Sequence, residues 1–352
     1  MGTIQEVLFV TFAPRHFSAR RRQEAAVSEM FRLVQYGAAA DKVLEPITQR
    51  LLSGKYLKLF LNIAASRSAV IWVWGHDAGF VAALALLLRP ETKLIWDISD
   101  VNRHLLGPGV KARVLRAMER MLARRADRVF LTSPWFFDQH FARFLPRNKV
   151  RIIENRRSAS QAGQAVIPPH GLPLRIVFAG IFRSPAVLLC IKECAKRLGE
   201  QVVFEIYGYP DRNLDEGVLA ALCEAGPNVR LHGRFDGASV HDIYRSAHLI
   251  WGFVDDTENA NESWLLSNRI YDGIVTGRPV LTTAGTASGA YVARHRLGLA
   301  LPLAPDAIVP ALLALMQSGG DGYGALRAQM PAPATGYLDR DYGRAIEELL
   351  NE

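Results

Sequence analysis

The sequence has little cysteine, with three residues in a chain of 352. This excludes a disulfide-stabilised scaffold and fits a reducing compartment. It has no uninterrupted apolar run of about 18 residues, so we expect no membrane-spanning segment. In the opening stretch, MGTIQEVLFVTFAPRHFSARRR, the basic residues follow the apolar run, which is the reverse of a secretory signal. We therefore expect a cytoplasmic protein, and the length predicts two domains.

The motifs of several common enzyme classes are also missing. No strand runs into G-x-G-x-x-G, no Walker A lysine loop occurs, and H-E-x-x-H, C-x-x-C and G-x-S-x-G are absent. Hydride transfer and P-loop phosphotransfer are therefore disfavoured. Cys190 and Cys194 lie one helical turn apart, but a zinc site needs about four ligands. We predict buried thiols and no metal.

The two halves of the chain differ in charge. Residues 1–160 contain 26 Lys and Arg against 13 Asp and Glu, whereas residues 161–352 contain 16 against 21. Such asymmetry predicts that the first half faces a polyanion or an anionic membrane.

Short apolar runs alternate with longer helical patterns in both halves. Continuous apolar strands separated by helices predict parallel sheets that are covered on both faces. We predict an α/β protein with two Rossmann-like domains facing each other across a cleft, with ligands at the carboxyl ends of the strands. The predicted parts are an N-terminal domain (1–160), a linker (161–173), a second domain (174–334) and a C-terminal helix (335–352) that crosses back to the first domain. The predicted strands are Val7–Phe12, Val70–Trp74, Leu94–Asp97, Val129–Thr132, Val150–Ile153, Leu174–Ala179, Val202–Tyr207, Val229–His232, Leu249–Phe253 and Pro279–Thr283.

The segment Asp255–Thr283 carries the most information about function. A polar loop leads into a helix that begins near Ser267 and ends at Gly277. Backbone N–H groups at the start of a helix attract anions, Arg269 adds a cation there, and Asp272 adds a carboxylate one turn on. These residues predict a site for a diphosphate and the hydroxyls of an attached sugar. The alternative is a capped helix with a solvated arginine.

This segment resembles the donor motif of GT-B glycosyltransferases of the family 4 type, E-x7-E followed by A-x-x-x-G-x-P-V. Asp272 stands at the second acidic position, whereas Trp264 stands at the first, with Glu262 two residues earlier. ERMLARRADRVFLTSPW is similar to the end of the N-terminal domain in these enzymes, and LRIVFAGIFR to the start of their donor domain. VRLHGRF and DIYRSAHLIW resemble the stretch beside their base pocket. The likenesses follow one another in the correct order over nearly the whole chain.

A closer likeness is to the xanthan-type glucuronosyltransferases, an inverting GT-B subtype of the inner membrane. The Arg-rich stretch after the first strand and the segment Ile98–Asp100 carry this likeness. The resemblance implies a glycosyltransferase of the hexosyl or glucuronosyl type, which uses a UDP- or GDP-linked sugar and no metal or other cofactor. The implied acceptor is a saccharide on polyprenyl diphosphate, used in exopolysaccharide or capsule assembly. The implied location is the inner face of the plasma membrane, on which the protein is peripheral.

Three residues near the ends of N-terminal strands are candidate catalytic groups. Asp100 is the predicted general base of an inverting transfer, because a carboxylate just beyond the strand Leu94–Asp97 can accept the proton of the acceptor hydroxyl. Asp97 is the rival base, and His76 is a third candidate that follows the strand VIWVW. Helix capping is the alternative role of the aspartates, and capping or packing that of His76. The predicted donor-binding residues are Gly180, Arg183, Gly208, Arg234, Ser267, Asn268, Arg269, Tyr271 and Asp272.

Two N-terminal helices are predicted to be amphipathic, with cationic polar faces. Basic helices of this kind bind an anionic membrane interface, and packing on the core is the alternative. The first has an apolar side of Leu51, Leu52, Tyr56, Leu59, Phe60 and Ile63, away from Arg50, Lys55 and Lys58. The second has an apolar side of Val114, Leu115, Met118, Met121 and Leu122, opposite a cationic side of Lys111, Arg113, Arg116, Arg120 and Arg124. The residues predicted to face the acceptor or the membrane are Arg20, Arg21, Arg22, Lys55, Lys58, Arg113 and Arg116.

Three other classes of function remain open at this stage. A nucleic-acid-binding protein would explain the basic half, but no nucleic-acid-binding motif occurs and the acidic half would be unused. A non-catalytic nucleotide- or sugar-binding protein would have the same fold and would differ only in lacking turnover. A GT-B sugar-nucleotide epimerase would need no lipid acceptor.

Overall fold

The computed structural model describes residues 6–12, 32–36, 47–157, 173–211, 214–257, 260–317, 321–331 and 341–352. The chain divides into two compact units. The first comprises Met1–Asn155 and Leu338–Glu352, and the second comprises Arg156–Tyr337. The division thus falls between Asn155 and Arg156 rather than at residue 160. Residues 161–172 of the predicted linker lie outside the described residues.

The first unit is built on a parallel sheet of six strands, in the order β2-β1-β3-β4-β5-β6. The central strand sequence VIWVW is almost wholly buried, as expected for a parallel strand covered on both faces. The strands are β1 (Glu6–Val10), β2 (Arg32–Tyr36), β3 (Val70–Trp74), β4 (Lys93–Ile98), β5 (Arg128–Leu131) and β6 (Val150–Ile152).

The helices of the first unit follow the strands in the Rossmann manner. They are α1 (Ile47–Leu52), α2 (Lys55–Ala65), α3 (His76–Ala85), α4 (Arg103–Leu106), α5 (Val110–Arg125), α6 (Pro134–Gln139) and, at the end of the chain, α15 (Asp341–Leu350). One face of the sheet is covered by α15. Tyr342, Ala345, Ile346 and Leu349 pack there against Phe9, Trp72, Ile95 and other sheet residues. The last helix of the chain therefore completes the core of the first unit.

The second unit has a second parallel sheet of six strands, in the order β12-β11-β10-β7-β8-β9. The strands are β7 (Leu174–Phe182), β8 (Val202–Pro210), β9 (Val229–Gly233), β10 (Leu249–Trp251), β11 (Val280–Thr283) and β12 (Gly298–Leu301). Each face of this sheet has its own apolar core. These two parallel sheets confirm the predicted fold class of two Rossmann-like domains.

The helices of the second unit begin and end at recognisable residues. Ser184 caps α7 by accepting a hydrogen bond from the Val187 N–H, and Pro185 fills its first turn. Gly277, with φ of 64°, ends α11 in the left-handed region, where glycine carries no steric cost. The helices are α7 (Pro185–Leu198), α8 (Glu216–Cys223), α9 (Val240–Arg245), α10 (Ala260–Trp264), α11 (Asn268–Thr276), α12 (Ala287–His295), α13 (Pro305–Met316) and α14 (Asp321–Ala328).

Three features differ from the sequence-based expectation. β2 and β12 were not predicted, and both are short strands at the edges of their sheets. The first predicted amphipathic helix is divided into α1 and α2 at Gly54, whose φ of 68° interrupts the helix. Several strands run further than predicted, notably β7 and β8, which continue to Phe182 and Pro210. Cys190 and Cys194 are buried on α7, as predicted.

Candidate functional site

Two glycines bring the ends of β7 and β8 close together. Gly180 and Gly208 have φ of 153° and 142°, which side-chain-bearing residues rarely adopt. A Cβ on Gly208 would lie 1.8 Å from the carbonyl oxygen of Gly180, and a Cβ on Gly180 would lie 2.7 Å from Nη2 of Arg269. The glycines therefore leave room for the Arg269 guanidinium at the carboxyl ends of these strands.

Arg269 is held in that position from two sides. It lies in the first turn of α11. Its guanidinium carbon lies 4.4 Å from the centre of the Phe178 ring, and its Nε donates a hydrogen bond to the carbonyl oxygen of Ala179 at 3.3 Å. A half-buried cation is thus fixed where the start of a helix meets the ends of the central strands. That combination favours binding of an anion such as a phosphate.

Asp272, one turn further along α11, is buried and already paired. Nε of Arg157 donates to its Oδ1 at 2.7 Å, and Nε2 of His241 lies 3.1 Å from the same oxygen. Burial raises the pKa of Asp272, but the charge of Arg157 and the hydrogen bonds from His241 and Arg157 lower it below its ordinary value. The carboxylate is therefore ionised and held rigidly. The sequence did not point to either partner.

The other predicted residues of α11 differ in exposure. Asn268 is exposed, whereas Ser267 and Tyr271 are buried. Ser267 is the N-cap, and its backbone N–H donates to Oγ of Ser288 on α12 at 3.0 Å. The structure thus brings Asn268 and Arg269 to the accessible side of this helix start.

Two further predicted arginines follow strands of the same sheet. Arg183 follows β7 and is exposed, beside Ser184, whose hydroxyl donates to Oδ2 of Asp255 at 2.9 Å. Arg234 follows β9, and its guanidinium carbon lies 3.7 Å from the centre of the Tyr209 ring. Burial raises the pKa of Asp255, but hydrogen bonds from the hydroxyls of Thr257 and Ser184 lower it below its ordinary value. Asp255 is thus an ionised carboxylate in the loop after β10, and sequence reasoning did not select it.

In the first unit, Asp97 is part of the core. It lies on β4 opposite Trp74 of β3, and its side chain is buried. Its Oδ2 accepts a hydrogen bond from Nε1 of Trp72 at 3.1 Å, and Trp72 in turn packs against Tyr342 of α15. This carboxylate satisfies a buried indole N–H and points into the face of the sheet that α15 covers.

Asp100, in contrast, is exposed in the loop after β4. The preceding Ser99 is held by Trp74, whose Nε1 donates to its hydroxyl at 2.8 Å, and by Thr132, whose hydroxyl donates to its carbonyl oxygen at 3.1 Å. The N-cap of α4 is Asn102, which accepts from the His104 N–H. Asp100 therefore occupies an anchored loop at the carboxyl edge of the sheet, and the capping of α4 belongs to another residue.

His76 is the first residue of α3 and contacts a buried carboxylate. Its Nε2 lies 3.3 Å from Oε1 of Glu119 on α5, and Nε2 of His140 lies 2.8 Å from Oε2 of the same carboxylate. Burial raises the pKa of Glu119, but hydrogen bonds from His140 and His76 lower it below its ordinary value. The sequence identified His76 alone, because Glu119 and His140 are distant from it in the chain. No group of three or more His, Cys, Asp or Glu side chains in the described residues is arranged so that it could hold a metal ion.

A second polar cluster lies beside His76 and was not predicted. Asp77 accepts hydrogen bonds from Arg50 of α1 and, at 2.7 Å, from the Tyr56 hydroxyl of α2. Arg50 also stacks over the ring of Phe12, which follows β1. Burial is the main cause that raises the pKa of the Tyr56 hydroxyl. Arg50 is thus a buried ion-pair partner, and its predicted place on a solvated face is wrong.

The basic helices expose a different surface from the one expected. On α5 the buried face contains Ala112, Glu119, Leu122 and Ala123, so Val114 and Met121 face outward. Arg116 turns inward and donates to the carbonyl oxygens of Leu105 and Gly107.

The helices α1 and α2 also expose apolar residues, namely Leu51, Leu52, Leu57 and Leu61. Of their two predicted membrane-facing lysines, Lys58 is exposed and Lys55 is half-buried. Arg20, Arg21 and Arg22 lie outside the described residues. Across the described part of the chain, no helix is long and apolar enough to cross a bilayer.

Comparison with known proteins gives a family match in the first half of the chain. Residues 5–156 match the model of the glycosyl transferase 4-like domain. The chain is also similar to the succinoglycan biosynthesis protein ExoL of Rhizobium meliloti (strain 1021), with 25% identity over 217 residues. That alignment covers 59% of this chain and 54% of the relative, so it spans about half the length of that protein.

Solved structures match the whole chain at low identity. The HepE protein of Anabaena, in complex with UDP and glucose, has a TM-score of 0.70 and 11% identity, with 99% of each chain covered. The UDP-GlcNAc 2-epimerase from Neisseria meningitidis, bound to UDP-GlcNAc, has a TM-score of 0.61 and 14% identity, with 99% of this chain and 100% of the other covered. The fold is therefore GT-B, with two Rossmann-like domains, and residues 5–156 are similar to the glycosyl transferase 4-like domain.

Proposed function

We propose that the protein is a glycosyltransferase that moves a sugar from a nucleotide-sugar donor to a saccharide acceptor in exopolysaccharide assembly. The observation that carries this proposal is the cation of Arg269, fixed at the start of α11 above Gly180. The family match of residues 5–156 and the similarity to a succinoglycan biosynthesis protein support the reaction class and the process. The donor is a UDP-sugar in this proposal, supported by the UDP complex of HepE.

The second unit is proposed to hold the donor. Arg269 and the first turn of α11 bind the diphosphate, because both present positive charge at the same place. Arg183, just after β7, and Asn268, the first residue of α11, are both exposed and add hydrogen-bond donors. Asp272 does not contact the donor in this proposal. Its buried carboxylate holds this part of α11 in place through Arg157 and His241. The charge that develops on the leaving group is met by these cations, and the proposal needs no metal ion.

We propose an inverting transfer with Asp100 as the general base. The acceptor hydroxyl oxygen forms a bond to the anomeric carbon of the donor sugar while the bond from that carbon to the diphosphate oxygen breaks. Asp100 takes the hydroxyl proton, and the nucleoside diphosphate leaves with the electron pair. The exposure of Asp100 supports this role, whereas Asp97 is enclosed and hydrogen-bonded to Trp72.

The acceptor is proposed to be a saccharide carried on polyprenyl diphosphate at the inner face of the plasma membrane. The support is a feature that we call the α5 stripe: the exposed apolar residues Val110, Val114, Ala117 and Met121, flanked along one side by Arg113, Arg120 and Arg124. An exposed apolar strip beside cations matches the chemistry of an anionic lipid surface. The basic composition of residues 1–160 supports the same partner.

The experiment that tests the reaction is a transfer assay with radiolabelled UDP-sugars and lipid extracted from exopolysaccharide-producing bacteria. Asp100→Asn is expected to reduce transfer by about 10²–10⁴-fold, the usual contribution of a positioned base, and to leave UDP affinity unchanged. Asp97→Asn is the matched control and should lower the stability of the fold rather than the rate per folded molecule. Full transfer by the Asp100→Asn variant would reject this base.

An epimerase is the second candidate, and the fold shared with the Neisseria UDP-GlcNAc 2-epimerase supports it. An epimerase acts on the nucleotide sugar alone, so the two functions separate in the absence of acceptor. We expect UDP-GlcNAc incubated with the protein to remain unchanged when followed by NMR. Formation of its C2 epimer under these conditions would favour the epimerase over the transferase.

A further inference from the structure

The buried carboxylate of Glu119 has an imidazole on each oxygen. Oε1 is 3.3 Å from Nε2 of His76, and Oε2 is 2.8 Å from Nε2 of His140. The Glu119 side chain is fully buried, His140 is 6% exposed, and His76 is 30% exposed. The three side chains thus form a line that starts inside the core and ends at an accessible histidine.

The chemistry of the carboxylate fixes the proton on His76. An ionised carboxylate only accepts hydrogen bonds, so Nε2 must be the protonated nitrogen of each ring. In the neutral His76 ring, Nδ1 then carries the lone pair and acts as an acceptor. Within the described part of the chain, Nδ1 of His76 makes no hydrogen bond of its own.

The position of His76 places this acceptor at the edge of the sheet where ligands bind. His76 is the first residue of α3 and follows β3, whose neighbour β4 leads to Asp100. The carboxyl ends of parallel strands meet at one edge, and ligands of such folds bind there. The ring is further braced edge-on against Trp96, with 5.2 Å between ring centres. It is therefore oriented by contacts on two sides.

We propose that Nδ1 of His76 accepts a hydrogen bond from a hydroxyl of the acceptor saccharide, with Glu119 as the positioning residue that fixes the tautomer. This inference rests on the proposed function, since it assigns one contact to the saccharide that receives the sugar. His140 has a different role: it satisfies the second oxygen of Glu119 from inside the core, where it packs against Phe141 and Phe144. Asp100 takes the proton in the reaction, and His76 orients the acceptor.

The charged groups around the start of α3 are paired with one another. Glu119 from α5 faces His76 itself, with His140 behind it. Asp77, the next residue of α3, is neutralised by Arg50 of α1 and bonded to Tyr56 of α2.

The test uses short alkyl glycosides as acceptor mimics, with no nucleotide present. Hexyl β-D-glucoside and hexyl β-D-galactoside are titrated at pH 8 into protein labelled with 15N on histidine. Imidazole 15N resonances report the tautomer directly, and their shifts on titration report binding. We expect His76 to carry its proton on Nε2 and at least one glycoside to shift its Nδ1 resonance.

A matched pair of variants separates contact from structure. His76→Gln is expected to weaken glycoside binding about fivefold, the loss of one hydrogen bond. His140 contacts the other oxygen of the same carboxylate. The His140→Gln substitution should leave the glycoside affinity of the folded protein unchanged. Equal effects of the two variants would overturn the proposal. A proton on Nδ1 of His76 in the wild-type protein, or no response to either glycoside, would also overturn it, and both are readable even if a variant fails to fold. Failure here leaves nucleotide binding at Arg269 untouched, because that site lies in the other unit.

Discussion

Arg157 and Asp272 form a buried ion pair between residues 115 positions apart in the sequence. Nε and Nη2 of Arg157 lie 2.7 and 2.6 Å from Oδ1 of Asp272, and both side chains are largely enclosed. Arg157 is the second residue of the second unit. The pair therefore ties the beginning of this unit to the helix that carries Arg269.

Removal of one partner of this pair should be costly. Asp272→Asn leaves the Arg157 guanidinium buried without its counter-charge, and breaking a buried pair in this way costs about 3–5 kcal/mol of unfolding free energy. Unfolding of the wild-type and variant proteins in guanidinium chloride measures this difference in free energy. The double variant Arg157→Met, Asp272→Leu should recover part of the loss, because it leaves no buried charge. A change below about 0.5 kcal/mol in the single variant, typical of an exposed site, would contradict this account.

The same pair predicts a dependence of stability on pH. The pKa of Asp272 in the folded protein lies below its ordinary value, so the unfolded chain binds the proton first as pH falls. The stabilisation is complete well above the unfolded pKa of about 4 and is lost as the pH falls through the folded pKa. The difference in unfolding free energy between wild type and Asp272→Asn should therefore be largest near pH 7 and shrink below pH ~4. Asp306→Asn, at an exposed ion pair with Arg197, should show little difference at any pH.

The strands that the sequence predicts are those in the middle of the sheets. VIWVW and LRIVFAGIF are continuous apolar runs because both faces of a parallel strand are covered. β2 and β12, with sequences RLVQY and GLAL, are short edge strands, and their pattern carries no such signal. Their place depends on the pairing with β1 and β11, which local sequence does not encode.

The candidate site residues, like the strands, could be predicted from the sequence only where the signal is local. Local signals identified the start of α11, its glycine end and the cation of Arg269, because capping and helix-end chemistry lie within a few residues. The partners Arg157 of Asp272 and Glu119 of His76 come from other elements, so their pairing depends on the tertiary fold. The helical pattern of a sequence also does not distinguish a charged residue that faces solvent from one that is paired inside the fold. Arg50 and Arg116 were assigned to solvated faces for this reason, and both point inward.

Gly180 provides a test of the space beside Arg269. A methyl group at Gly180 would lie 2.7 Å from Nη2 of Arg269 and would also strain a residue with φ of 153°. Gly180→Ala is therefore expected to displace the guanidinium and weaken UDP binding at least tenfold, as loss of a charge-assisted hydrogen bond of about 1.5 kcal/mol would do. Titration calorimetry of UDP measures this.

Gly324→Ala is the control for Gly180→Ala. Gly324 lies on α14 of the same unit, and nothing lies within 4 Å of a Cβ there. The substitution should leave UDP affinity unchanged and raise stability by about 0.5–1 kcal/mol, since alanine favours a helix over glycine. UDP binding by Gly180→Ala that equals that of this control would show that Arg269 does not depend on the glycine.

The α5 stripe predicts a salt-sensitive attachment to membranes. Wild-type protein should sediment with vesicles of phosphatidylglycerol and phosphatidylcholine at low salt, and 1 M salt, with a Debye length of about 3 Å, should release it. Val114→Asp combined with Arg120→Glu should abolish sedimentation, because it places anionic groups on the stripe. Leu189→Asp, at an exposed apolar site in the second unit, is the control and should bind normally. A stripe variant that is monomeric where the wild type is dimeric would instead assign this surface to a second copy of the chain.

The central claim is that the start of α11 binds the diphosphate of a nucleotide sugar, and calorimetric titration of UDP into wild type and Arg269→Ala tests it most directly. A hydrogen bond to a charged group contributes about 1.5–3 kcal/mol, so the variant should bind UDP about 10- to 150-fold more weakly. Arg294→Ala, an exposed arginine on α12, should bind as the wild type does. Equal UDP affinity in wild type and Arg269→Ala, or no binding of UDP, GDP or ADP to the wild type, would contradict the account.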